Sequence, residues 1–170
     1  MKAKLIVEGR EFPIEILDEE LKKLISDSKK TGYERCNDKA YFTESFGYVL
    51  ERMDDGEAID ESYYKCSNYY SDKAVAENNT RADNLMRQLR RFAVEHRKNA
   101  FDWCDSEEEK WSIFYDAVNG AKLDAWDSYT SREFNSIYFD SYKTAKLAIE
   151  TFHNELMWYF TEYKDSLLGD

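Results

Sequence analysis

Two histidines, three cysteines and 35 carboxylates are the residues of this 170-residue chain with the capacity for covalent, acid–base or metal chemistry. His96 falls near the apolar side of one helical stretch and His153 within another. No HExxH, HxH or Cys–His cluster accompanies them, so zinc is not expected. Cys36, Cys66 and Cys104 are odd in number and widely spaced, which suits neither a CxxC metal knuckle nor a disulfide framework. The chain has no GxSxG nucleophile elbow and no GxxxxGK(S/T) or GxGxxG phosphate cradle. A glycosidase pair needs geometry rather than local spacing, and acids this abundant make any one pair uninformative. The expectation is a protein with no catalytic residues, no metal and no cofactor.

Charge is the stronger signal. Residues 99–170 hold 15 acidic and 6 basic side chains, a net of −9, whereas residues 1–98 hold 20 and 18. One acidic cluster contains Asp102, Asp105, Glu107, Glu108 and Glu109; Asp124 and Asp127 follow it. Another contains Asp54, Asp55, Glu57, Asp60 and Glu61, without the 12-residue calcium-loop pattern. Such acids read either as solvated turn and cap residues or as a surface that imitates phosphate charge. An acidic face steers toward basic partners and repels free nucleic acid. Arg87, Arg90, Arg91 and Lys98 form an opposing basic face, read as solvated, as paired with the acidic element next to it or across a homodimer, or as touching RNA held by a partner. The 13 tyrosines, Tyr63 and Tyr129 among them, suit either sheet packing or a protein-binding surface.

The elements that must position these residues are legible from periodicity. Lys4-Leu5-Ile6-Val7-Glu8 and Glu11-Phe12-Pro13-Ile14-Glu15-Ile16 flank Gly9-Arg10 and predict a hairpin with Pro13 on an edge strand. Asp18 opens an amphipathic helix that Lys29-Lys30 and Thr31-Gly32 close. Residues 33–71 carry short aromatic runs (Tyr41-Phe42, Tyr48-Val49-Leu50, Tyr63-Tyr64, Tyr69-Tyr70) and predict a meander of two or three strands. Residues 72–98 give the clearest helix, with Ala74, Val75, Ala82, Leu85, Met86, Leu89, Phe92 and Ala93 on one side. A second meander follows in Trp111-Ser112-Ile113-Phe114-Tyr115, Lys122-Leu123-Asp124-Ala125-Trp126 and Ser136-Ile137-Tyr138-Phe139, with Asn119-Gly120 as a hairpin cue. A last helix starts near Ser141 and runs to about Leu168.

The two meanders resemble each other. Gly56-Glu57-Ala58-Ile59-Asp60 parallels Gly120-Ala121-Lys122-Leu123-Asp124, and Tyr69-Tyr70-Ser71-Asp72 parallels Tyr138-Phe139-Asp140-Ser141. The expected fold is α+β, with two similar antiparallel sheet-plus-helix units after an N-terminal hairpin and helix. The corresponding spans are 1–32, 33–98 and 99–170. Leu85, Leu89, Phe92, Ile113, Ile137, Phe139, Ile149 and Phe152 are the expected core. One proline, six glycines and 42% hydrophobic residues exclude collagen-like and disordered classes. With no long apolar run and an early-charged start, a cytoplasmic, soluble protein is expected.

The strings Trp111-Ser112-Ile113-Phe114-Tyr115-Asp116, Asn135-Ser136-Ile137-Tyr138-Phe139 and Thr144-Ala145-Lys146-Leu147-Ala148-Ile149 resemble a module of small proteins of Firmicutes phages and mobile elements. So do Asn68-Tyr69-Tyr70-Ser71-Asp72-Lys73-Ala74-Val75-Ala76-Glu77 and Leu85-Met86-Arg87-Gln88-Leu89-Arg90-Arg91-Phe92-Ala93. The group includes suspected anti-CRISPR proteins that inhibit Cas9-type nucleases, and it supplies no catalytic residues. The chain departs from it in a longer second unit and heavier acid. The resemblance implies a non-enzymatic anti-defence protein in an infected or element-carrying host. Its partner would be a Cas9-type nuclease with its guide RNA; on charge grounds, the expected contact is the acidic surface of Asp102, Asp105, Glu107, Glu108, Glu109, Asp124 and Asp127. The alternative is a phage adaptor or structural module binding another protein through tyrosines such as Tyr63 and Tyr129.

Overall fold

The computed structural model describes residues 2–7, 10–15, 30–36, 38–44 and 46–167, with backbone pairing alone described before residue 30. β1 (Lys2–Val7) and β2 (Arg10–Glu15) pair antiparallel, with Val7 opposite Arg10 and Lys4 opposite Pro13. Arg10 thus belongs to the strand rather than to the turn. The helix expected from Asp18 lies outside the described residues.

β3 (Lys39–Thr43) and β4 (Val49–Met53) form a second hairpin. The sequence suggests up to three strands here, but residues 58–65 form a helix instead, α1 (Ala58–Lys65). A capping box decides it: Glu57 and Asp60 satisfy each other's backbone N–H groups, which favours a helix start over a strand. Tyr63 then packs on Phe42 with ring centroids 4.4 Å apart, and Tyr64 meets Tyr69 edge-on. The third strand shrinks to one bridge, Tyr41 opposite Tyr70. Immediately after it Asp72 caps α2 (Lys73–His96) by accepting the Val75 N–H at 3.0 Å.

The second unit repeats this arrangement. β5 (Lys110–Asp116) lies between β6 (Lys122–Ser128) and the two-residue β7 (Tyr138–Phe139), with Trp111 opposite Phe139. Ser141 then caps α3 (Tyr142–Thr151) through the Thr144 N–H. In both units a hairpin's first strand takes a short aromatic strand on its free side, and a capped helix follows. Ala76 and Ala145, four residues beyond their caps, are both fully buried. The match between residues 56–60 and 120–124 does not hold past its glycine. Gly56 and Gly120 both take positive φ, but Ala58-Ile59-Asp60 is helix and Lys122-Leu123-Asp124 is strand. Asn119-Gly120 sits in a five-residue loop organised by Asp116, whose carboxylate accepts from the Val118 and Asn119 N–H groups. The final helix is interrupted at Phe152 and resumes as α4 (His153–Thr161), ending short of the expected Leu168. Thr151 bonds back to the Leu147 carbonyl just before the break, a contact that bends helices.

The protein is α+β, and α2 is the element both units share. Its first turns bury Val75 and Ala76 beside Tyr70, under Tyr33, Tyr41 and Val49. Its later turns bury Leu85, Leu89 and Ala93 with Leu123, Phe139, Ala145, Ala148, Ile149 and Leu156. Phe92, Ile113, Ile137 and Phe152 are half-buried against that cluster, so the expected core residues meet in one place. Ala74, expected on the apolar side, is exposed. Beyond α4, Tyr163 donates to Asn79, while Tyr33 and Asn79 both donate to the Asp165 carbonyl, each at 2.9 Å. These bonds tie the end of the second unit to the start of the first.

Of the acids in residues 54–61, Asp54, Glu57, Asp60 and Glu61 are structural. Asp54 accepts from Arg35 at 3.1 Å, from the Tyr69 hydroxyl at 2.8 Å and from the Gly56 N–H at 3.0 Å. Arg35 also meets Glu61, and Arg52 meets Glu57 and the fully buried Asp60. Arg35 and then Tyr69 hold the Asp54 carboxyl down at about 2. Partial burial pushes Glu34 up, but bonds from Thr31 and Gly32 outweigh it and leave it at about 2. Carboxyls depressed in the folded state stabilise it above the ordinary value of about 4 and stop doing so as pH falls toward the folded value. The thermal midpoint followed by circular dichroism is therefore expected to drop steeply between about pH 4 and 2. Asp54→Asn should lower the midpoint at neutral pH and make that acid limb shallower; an unchanged limb would show that Asp54 is not its source.

Candidate functional site

The acidic loop before β5 is built around a buried cation. Lys110 is fully buried, and its Nζ donates to the Glu108 carbonyl at 2.7 Å and the Asp105 carbonyl at 3.4 Å. The Glu108 carboxylate pairs with it at 3.2 Å, and the Trp103 ring lies 5.4 Å away. A buried ammonium is costly unless it is paired and hydrogen-bonded, so residues 102–109 fold inward to supply oxygens. Glu108 also accepts the Asp102 N–H at 2.7 Å; Asp102 accepts from Cys104 N–H and Asp105 from Glu107 N–H. These last two are the local side-chain turns that aspartate favours. Glu109 accepts the Trp111 indole N–H at 3.1 Å.

Of the seven acids that the sequence offers as partner-binding, the structure brings three together. Asp127 stands opposite Trp111 in the β5–β6 register, close enough to the Tyr129 phenol to act on it electrostatically. Asp127 first, then some burial and the charges of Glu109 and Glu107, push the Tyr129 phenol up. Glu107, Glu109 and Asp127 are thus the carboxylates within electrostatic reach of Tyr129, and no cation pairs with any of the three among the described residues. Asp124 is elsewhere: it accepts from the Ala125 N–H and the Tyr142 hydroxyl and faces Lys146 at 3.7 Å and Lys122 at 3.8 Å. Its depressed pKa reflects first the Ala125 N–H, against some burial, and then Lys146. Glu108, Asp102 and Asp105 serve the loop. Tyr63 is half-buried on Phe42 in the first unit, away from the patch.

The basic face does not neutralise the acidic loop. Arg87 donates to Asn84, Arg91 faces Glu95 at 3.7 Å, and Lys98 bonds Asp140 through its backbone N–H. Arg90 has no ion pair among the described residues.

Sequence reasoning misses four residues here. Trp126 is 67% exposed, the side chain of β6 that alternation with Leu123 and Ala125 turns outward. Phe134 is 94% exposed in a turn and carries no sequence signal. Lys110 closes an acidic run on the strand face opposite Trp111, and that alternation is its one clue. Trp103, which packs on Tyr138 at 4.9 Å and lies under Arg132, has none.

No cluster of three or more His, Cys, Asp or Glu side chains able to hold a metal occurs among the described residues. His96 and His153 are exposed, His96 stacking on Phe92 at 3.9 Å. No described helix is long and apolar enough to cross a membrane. No protein-family model matches the chain, and neither does any curated protein or solved structure.

Lys110→Met keeps the length of the side chain but removes the charge that gathers the loop. Urea unfolding should show a loss of about 3–5 kcal/mol, with faster amide exchange confined first to residues 102–109. Glu107→Gln should stay within about 0.5 kcal/mol of the parent. Equal effects from the two would show that the loop is not organised by the cation.

Proposed function

We propose that the protein is a non-enzymatic anti-defence protein that binds a Cas9-type effector and blocks its engagement with target DNA. The observation that carries this reading is the uncompensated carboxylate patch of Glu107, Glu109 and Asp127 around Tyr129, beside a net charge of −9 in residues 99–170. The target class comes from the likeness of the sequence strings to proteins of phages and mobile elements. Carboxylates held on a folded loop and a strand present fixed negative charge, as phosphates do, and attract a basic DNA-binding channel.

The geometry narrows the acids that act on the partner. Glu108, Asp102 and Asp105 are engaged in the loop, and Asp124 in the contact of β6 with α3, so the contact rests on Glu107, Glu109 and Asp127. A tyrosine-led adaptor is less well supported, because Tyr69, Tyr70 and Tyr138 are buried and Tyr63 packs internally.

The test is DNA cleavage by guide-loaded Cas9 across a concentration series of the protein. Stoichiometric inhibition is expected, weakening as salt rises because exposed charges are screened over about 8 Å at physiological ionic strength. Glu107→Lys combined with Asp127→Lys should weaken inhibition at least tenfold, by about 1.4 kcal/mol or more, with the thermal midpoint little changed. Absence of inhibition with several Cas9 types would remove the proposed target. Inhibition that survives the double reversal would remove the acidic mechanism.

A further inference from the structure

The loop between β6 and β7 and the side of α2 that faces it enclose a hollow of about 500 Å³ lined by Arg90, Arg132, Glu133, Phe134, Asn135 and Ser136. Its chemistry is the reverse of the rest of the second unit. Neither Arg90 nor Arg132 has an ion pair among the described residues, although acids outnumber bases 35 to 24 in the chain. Arg132 is steadied by the Trp103 ring, 5.5 Å from its guanidinium carbon. The one acid of the hollow, Glu133, accepts the Ser136 hydroxyl at 3.1 Å. Phe134 stands at the tip of this turn. The turn is closed by Ser136 N–H to Glu133 O, anchored by the Glu133 N–H on the Tyr138 hydroxyl at 2.7 Å, and continued by Asn135 at φ 63°. A left-handed Asn costs little, and the phenyl ring of Phe134 is 94% exposed. The Asn135 side-chain amide has no hydrogen-bond partner among the described residues.

We propose that this hollow is a binding site for a short single strand of nucleic acid, with Arg90 and Arg132 on phosphates, an unstacked base on Phe134 and the Asn135 amide on a base edge. Guanidinium groups are suited to phosphate by their planar fork of donors, and a bare aromatic ring beside them is the stacking platform of single-strand binders. A duplex is disfavoured because its bases are already stacked and leave no free face for Phe134. The site is independent of the Cas9 reading and is tested on the protein alone.

Fluorescence anisotropy with a labelled RNA of about ten nucleotides of alternating C and A, at low and at physiological salt, is the experiment. Saturable binding is expected, with the matching RNA duplex binding much more weakly. Phe134→Ala should weaken it at least about fivefold without altering its salt dependence. Arg90→Gln and Arg132→Gln should each weaken it and flatten the slope of log affinity against log salt by about 0.7. All three positions lie at the surface, and circular dichroism melts check that the variants stay folded. Failure to bind the single strand at low salt would overturn the proposal, as would binding indifferent to the three substitutions. Equal competition by polyglutamate of matched charge would also overturn it, since it would mark a site for anions of any kind.

Discussion

One helix has to cover two sheets. Neither β3–β4 nor β6–β5–β7 is large enough to bury a core alone, because small sheets expose most of their surface until a second layer covers them. α2 meets this constraint by dividing its length. Val75 and Ala76 close the first unit, whereas Leu85, Leu89 and Ala93 close the second. Small residues at Ala76 and, in the second unit, Ala145 let the helix backbone approach the sheet. The contacts of Tyr163 and Asp165 with Asn79 and Tyr33 complete the arrangement, holding the chain's end against the helix start. The two units thus share one helix and are joined again at the chain's end.

The acidic loop depends on that frame through one charge. Lys110 occupies in β5 the place that Ala40 occupies in β3: each precedes the residue that pairs with the short aromatic strand, and each is fully buried. Where the first unit has a methyl group, the second has an ammonium that demands oxygens. The loop supplies two carbonyls and Glu108, and the Trp103 ring covers the remainder. This is why a stretch with five acids does not behave as five free charges. The inward groups consume part of the acid, and Glu107 and Glu109 are left outward without a cation.

The bases of the hollow and the acids of the loop remain apart. Arg132 lies over the Trp103 ring of the acidic loop, yet no ion pair joins it or Arg90 to the loop's acids among the described residues. Exposed pairs contribute little because desolvation and side-chain ordering offset the attraction. Leaving the charges unpaired keeps a negative patch and a positive hollow available on one unit.

Helix α2, the strands of both hairpins and the shared core were legible in the sequence, because each rests on a periodic apolar pattern that local physics enforces. α1 was not, since Tyr63 and Tyr64 carry strand propensity while the reciprocal cap of Glu57 and Asp60 sets the outcome. The partial repeat was legible where it concerned aromatic pairs before a cap, and misleading at residues 56–60, where a shared turn glycine is followed by different structures. Composition alone established the acidic character of the second unit and the absence of recognisable catalytic and phosphate-binding motifs. Which acids face outward, that Lys110 is buried, and that Arg90, Arg132 and Phe134 share a hollow were decided only by the tertiary structure. The reason is physical: periodicity reports which side of an element is apolar, but the pairing of charges depends on distances between elements far apart in the chain.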